Sequence, residues 1–267
     1  LAEAAGLRAV PTGIDHGTVT IVAEGRPHEV TTFRRDVETD GRRAVVAFSD
    51  RIEEDAERRD FTMNALYADR HGRVIDPLHG LPDLEARRVR FVGDAETRIR
   101  EDYLRILRFF RFHAAYGDPE GGLDPEGLAA CAALSAGLGT ISRERITAEL
   151  KKLLSARDPA PTVAAMAQSG VLLHVLPGAD PRALAPLVHL DAAESPRWLR
   201  RLVVLGGDTA GLRLSRSEAR DLEALRSALG SPETLAALGW HLGEPLATHA
   251  ILARAASFGA PPPANWQ

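Results

Sequence analysis

Arg98-Ile99-Arg100-Glu101-Asp102-Tyr103-Leu104-Arg105-Ile106-Leu107-Arg108-Phe109-Phe110-Arg111-Phe112 is where the chain changes character. Before Gly93 the pattern is short β-rich runs between turn residues. From Ala95 onward apolar residues recur at helical spacing. At 100° per residue, Arg98, Glu101, Asp102, Arg105 and Arg108 fall within an arc of about 120°, and most of the remaining circumference is apolar. A helix this apolar is largely buried, so its polar stripe faces partners or a wet cleft. Two readings fit the stripe. One is an intrahelical pair, Asp102 or Glu101 with Arg105, packed against a neighbouring helix. The other is a surface that offers carboxylate acceptors and guanidinium donors to the edge of a nucleobase.

Toward the N-terminus, Thr18 to Ala23 and His28 to Phe33 read as two strands of a hairpin, joined through Glu24-Gly25-Arg26-Pro27 within a β-rich stretch over 7–35. On the second strand, alternation puts Glu29, Thr31 and Phe33 on one face and His28, Val30 and Thr32 on the other. Residues 36–57 are polar, with an Asp40-Gly41 turn, and read as a surface loop. Asp60 to Leu66 opens a short helix that places Asn64 on the face of Asp60. Arg73 to Pro77 and Arg88 to Val92 read as short strands around a Gly/Pro-rich connection. Toward the C-terminus, helices continue with breaks at 117–125, 157–161, 177–181, 230–232 and 259–263. Ser142 stands at an N-cap, with Arg145 where a capping box would place Glu.

The 267 residues suffice for about two domains. The formal net charge of -4 excludes a uniformly basic nucleic-acid coat, though not a local basic groove. Of 33 basic residues only Lys151 and Lys152 are lysines, and genomic composition accounts for most of that bias. Aromatics are 5%, too few for a base-stacking platform. The single cysteine, Cys131, excludes internal disulfides and Cys-based zinc sites, and fits a small core residue in a reducing, cytoplasmic compartment. No apolar run reaches the roughly 18 residues of a membrane span. Leu1 to Gly6 reads as the last turns of a helix, as though the chain begins inside a domain.

Other stretches carry candidate chemistry. Arg58-Arg59 before a helix suits phosphate in fork geometry, and Asn64 a ribose hydroxyl; a solvated helix start with Asp60 on the dipole is the alternative. A strand carboxylate such as Glu29 can ligate Mg²⁺, or be a half-exposed strand acid. Asp76 to Leu84 reads as architecture.

In order along the chain, His16-Gly17-Thr18, Glu29 to Arg34, Arg58 to Ala65, Asp76-Pro77 with Gly80 and Asp83-Leu84, Glu101 to Arg105 with Arg108-Phe109, and Ser142 to Ile146 closely resemble the bacterial, class II tRNA nucleotidyltransferase and poly(A) polymerase family. The resemblance implies an α+β fold: a polymerase-β-like head (antiparallel sheet plus helices) over 1–92, a helical neck over 93–155 and a helical body over 156–267. It implies template-independent transfer of CMP and AMP from CTP and ATP to the tRNA 3′ end, with Mg²⁺. Arg58, Arg59, Asp60 and Asn64 would contact triphosphate and ribose. Asp102 and Arg105 would read the base, with Arg108 in support, and Ser142 to Ile146 would brace the neck helix. Residues 36–57 would be the loop that switches from C to A addition, and Glu29 the third carboxylate and a metal ligand. The family's D-x-D pair occurs nowhere in this chain, so the chain reads as inactive alone. Poly(A) polymerases share these motifs. A non-catalytic helical RNA-binding protein is the reading from a different class.

Overall fold

The computed structural model describes residues 2–14, 17–40, 43–190 and 198–261. His16 and Gly41, both quoted above, lie outside them. The chain forms two compact units: Leu1–Glu85 with Arg90–Asp94, and Ala86–Val89 with Ala95–Gln267. Residues 95–155 of the expected neck and all of the expected body lie in the second, which also takes Ala86–Val89 from the expected head.

In the first unit, β1 (Arg8–Gly13), β2 (Thr18–Ala23) and β3 (Arg26–Thr31) form an antiparallel sheet in that order. The expected hairpin is therefore the outer two-thirds of a three-stranded sheet. Its turn has two central residues, Glu24 and Gly25, at φ 50° and 75°. Positive φ at both positions is what a tight hairpin between twisted strands demands, and Gly supplies the second at no steric cost. Strand pairing ends at Thr31, and Thr32 N–H turns to the Gly17 carbonyl (3.2 Å). Phe33 opens a new strand instead of closing the old one.

The loop expected over 36–57 is not a loop. β4 (Phe33–Asp40) and β5 (Arg43–Ser49) pair antiparallel, and α1 (Ile52–Glu57) follows. Backbone pairing makes this hairpin; the apolar run Ala44 to Phe48 marks β5, while the charged residues of β4 hide its partner. Two short strands, β6 (Tyr67–Ala68) and β7 (Val74–Ile75), pair next, and α2 (Leu81–Glu85) forms where a plain connection was expected. The expected strand over 88–92 reduces to one bridge, Phe61 to Phe91, whose rings pack 5.1 Å apart. One buried cluster here is Ala56, Ala65 and Val92, with Tyr67 and Leu78 against them; Phe61, Met63 and Phe91 are buried as well.

The second unit is all helical, as the periodicity predicts, so the α+β class with a helical remainder holds. Its helices are α3 (Ala95–Glu101), α4 (Leu104–Tyr116), α5 (Pro125–Ala133), α6 (Arg143–Leu154), α7 (Ala160–Gln168), α8 (Val171–Val175), α9 (Leu184–Leu190), α10 (Trp198–Leu205), α11 (Arg216–Gly230), α12 (Leu235–Leu242) and α13 (Glu244–Phe258). α4 packs against α6 and α7, and α13 packs against α9 to α12. α4 buries Leu104, Ile106, Leu107, Phe109, Phe110 and His113, which leaves only a narrow polar edge. Asp124 caps α5 ahead of Pro125, and Ser215 with Glu218 forms a capping box on α11. Arg201, fully buried, donates to the carbonyls of Leu154, Ala156 and Arg157, satisfying the C-terminal end of α6. Cys131 is buried, and burial pushes its thiol pKa up. Among the described residues, no helix is long and apolar enough to cross a membrane.

The helix quoted at the outset is two helices. It breaks at Asp102-Tyr103 with neither Gly nor Pro present. The Asp102 carboxylate accepts the Leu104 N–H (3.1 Å), and this local bond competes with helical hydrogen bonding.

Candidate functional site

In the first unit, Arg58 and Arg59 follow α1 directly. Asp60 to Leu66 does not form the expected helix: a single 3-10 turn, Thr62–Asn64, stands there. Asn64 Oδ1 accepts the Phe61 N–H (3.2 Å), so this side chain closes the turn and does not share a helix face with Asp60. The turn is clamped from below. Thr62 Oγ1 donates to Asp83 (2.6 Å), a carboxylate 1% exposed, which Arg90 also meets at 2.8 Å. Asp76 accepts the N–H groups of Gly80 (2.8 Å) and Leu81 (2.9 Å). A Cβ on Gly80 would lie 2.0 Å from the Thr62 carbonyl oxygen, so only glycine lets this segment approach the turn. Asp76 to Leu84 is thus architecture that fixes the arginine motif.

The centre of this arrangement is Asp55, which sequence reasoning left inside the supposed loop. It is 3% exposed. Its carboxylate accepts from Tyr67 Oη (2.8 Å), Arg59 Nη2 (2.9 Å) and the Arg34 N–H (3.2 Å), with Arg58 Nη1 at 3.9 Å. Burial raises the Asp55 pKa, but the Tyr67 and Arg59 bonds outweigh it and hold the carboxyl below its ordinary value. Burial and the same carboxylate push Tyr67 up to about 12. One buried anion thus orients two adjacent guanidiniums, a geometry suited to phosphate.

Glu29 sits on β3, exposed, opposite Thr20. The expected alternation holds for Glu29 and Thr31; Phe33 belongs to the next strand. Among the described residues, no three His, Cys, Asp or Glu side chains gather to hold a metal ion. Glu29 by itself does not fit a Mg²⁺ site, and no step is assigned to one.

In the second unit, Arg98 and Arg105 both donate to Glu101 Oε2, Arg105 at 2.5 Å, and Arg105 Nη1 also donates to the Arg98 carbonyl (2.6 Å). Asp102 is held separately: Arg145 Nη2, from α6, donates to its Oδ2 (2.6 Å). Of the two local pairs expected, Glu101 with Arg105 forms and Asp102 with Arg105 does not, Asp102 being anchored by Arg145. Ser142 does occupy the N-cap position of α6 but makes no capping bond, and Arg145 reaches to Asp102 instead of closing a capping box. Arg108 lies 5.8 Å from the Phe112 ring. Behind the stripe, Arg111 and buried Glu149 (2.5 Å) tie α4 to α6. Asp55 and Tyr67 carry no sequence signal because their bond to each other joins segments 12 residues apart; Arg145 lies in the stretch expected to brace the neck helix, and its bond to Asp102 is a brace of that kind.

The family described as "Poly A polymerase head domain" matches residues 3–90, and "Probable RNA and SrmB- binding site of polymerase A" matches 122–182. The chain is 48% identical over 153 residues to the mitochondrial CCA tRNA nucleotidyltransferase 1 of Homo sapiens, covering 57% of this chain and 35% of that protein. It is 39% identical over 196 residues to the CCA-adding enzyme of Geobacillus thermodenitrificans, covering 73% and 44%. It also resembles the crystal structure of the Bacillus stearothermophilus CCA-adding enzyme in complex with CTP, with a TM-score of 0.77 and 32% identity over 97% of this chain and 66% of that one. The chain thus spans less than half the length of these two curated relatives. By these family matches and likenesses the chain belongs to the tRNA nucleotidyltransferase and poly(A) polymerase family.

Proposed function

We propose that this chain is the nucleotide-selecting part of an enzyme that adds CMP and AMP from CTP and ATP to the 3′ end of tRNA. The carrying observation is the split anchoring of Asp102 and Arg105. A carboxylate has about four acceptor positions. Here Oδ1 takes a backbone N–H and Oδ2 a guanidinium, so the group is oriented and still able to accept. Cytosine and adenine both present an exocyclic amino donor, whereas uracil and guanine present an oxygen at the corresponding place. A fixed carboxylate accepts from the former and repels the latter; Arg105 donates to the ring acceptor beside the amino group. Arg58 and Arg59 bind phosphate, and the Asn64 amide NH₂ donates to a ribose hydroxyl. Divalent-metal chemistry is expected of the family, and Glu29, exposed on β3, would supply at most one carboxylate to it.

The names of the relatives support tRNA as the acceptor and CCA addition over A-tailing. Calorimetry tests the reading: the chain binds CTP and ATP and refuses UTP, and Arg105→Ala loses the preference. Equal binding of CTP and UTP by the wild-type chain contradicts it.

A further inference from the structure

The β2–β3 register sorts the first sheet into two unlike faces. Thr18 stands opposite Thr31 and Thr20 opposite Glu29, while Thr12 Oγ1 and Thr20 Oγ1 lie 2.8 Å apart. One face is therefore Thr12, Thr18, Thr20, Glu29 and Thr31. The other carries Val19, Ile21, His28 and Val30, by alternation. Arg34, from β4, reaches back onto the polar face. Its Nη2 donates to Thr31 Oγ1 (2.6 Å) and Thr18 Oγ1 (3.3 Å).

We propose that Arg34 is a phosphate-binding residue, held on this face by Thr18 and Thr31 to engage the phosphate oxygens of a nucleoside triphosphate or of an RNA 3′ end. Three observations lead there. First, its guanidinium is held by the neutral hydroxyls of Thr18 and Thr31, and among the described residues no carboxylate side chain pairs with it. Second, its Nε–H is buried without an acceptor, and an arginine offers five donors in a planar fork that matches phosphate. Third, its backbone N–H is fixed by Asp55, the same buried carboxylate that orients Arg59. One anion thereby sets Arg34 in the frame of the arginine motif. The assignment rests on the nucleotidyltransferase reading and adds a residue to it.

The test is calorimetric binding of three probes to the 267-residue chain at two salt concentrations: inorganic tripolyphosphate, CTP and a short RNA ending in CC. Arg34→Gln is expected to weaken tripolyphosphate and CTP alike by about 10-fold or more, as loss of one charge-assisted contact would. It also flattens the salt dependence by about one charge. Arg34→Lys keeps the salt dependence while losing the fork, and Thr31→Val loses a few-fold. A loss confined to the RNA assigns the phosphate to the primer instead and supports the same residue role. If Arg34 only straps the hairpin, Arg34→Gln lowers the melting temperature but leaves every affinity and the salt dependence unchanged, which overturns the proposal. So does a wild-type chain that binds none of the probes. Failure of the broader function is distinguishable: CTP and UTP would then bind equally, whichever residue stands at 34.

Discussion

The two arginine-rich motifs are alike in sequence and built on opposite principles. Around Arg58-Arg59, a single buried carboxylate, Asp55, serves two guanidiniums and a tyrosine hydroxyl, all within the first unit. Around Asp102 and Arg105, charges alternate: Glu101 takes Arg98 and Arg105, and Asp102 takes Arg145. By these residues both clusters carry the same excess of one positive charge. They differ in layout: the first gathers adjacent guanidiniums on one carboxylate, which suits a polyanion, and the second fixes each donor and acceptor separately, which suits a pattern of hydrogen bonds. On the proposed reading, affinity and selectivity are lodged in separate places, and each can be broken alone.

The largest effect is expected at the shared carboxylate. Asp55→Ala leaves guanidiniums and a hydroxyl around a vacated site, and removing one partner of a buried ionic cluster costs about 3–5 kcal/mol. Urea denaturation should show a lower midpoint of that order, and tripolyphosphate binding should fall with it. Because the folded Asp55 pKa lies below its ordinary 3.8, the stabilisation is fully present above about pH 4 and is lost as pH falls through the folded value. An acid-unfolding curve that is identical in wild type and Asp55→Asn would contradict the hub.

Next in size is the second motif's anchor. Arg145→Ala should release Asp102 and reduce the preference for CTP over UTP by about 10-fold or more, the worth of a hydrogen bond to a charged group. Tripolyphosphate binding should not change. If both fell together, the two motifs would not be independent.

Gly80→Ala tests the clamp beneath the first motif. The 2.0 Å approach to the Thr62 carbonyl forces a backbone shift, and overpacking of this kind costs about 1–3 kcal/mol. Thermal unfolding should show the loss, while base preference survives in the folded fraction.

The smallest effect concerns Tyr67. Its raised pKa means the folded state holds the phenolic proton more tightly. That contribution is present below the ordinary value of 10.0 and disappears as pH rises through about 12. Ultraviolet titration should show a late tyrosine phase near pH 12 that Tyr67→Phe removes. A late phase that survives Tyr67→Phe, or no late phase in the wild type, would contradict the Tyr67–Asp55 bond.

How far the sequence announces this follows from what each feature depends on. β2 is readable to the residue because Thr18 to Ala23 is β-rich and Glu24-Gly25 closes a turn. The helical remainder is readable because its periodicity is local. The break at Asp102-Tyr103 is not, since apolar spacing runs through it and only a side-chain bond to Leu104 N–H interrupts it. Residues 36–57 read as loop because strand pairing is a relation between two segments. Asp55 is silent for the same reason: it gains its meaning from Arg34 and Tyr67, 21 and 12 residues away. Arg145 is legible as part of a bracing stretch, but its partner Asp102, 43 residues away, is not.

The separation of affinity from selectivity is tested most directly by titrating CTP, UTP and tripolyphosphate into Arg59→Ala and Asp102→Ala. The account predicts that Arg59→Ala weakens all three ligands by a common factor, and that Asp102→Ala keeps tripolyphosphate binding while CTP and UTP converge. An Asp102→Ala chain that still prefers CTP would contradict it.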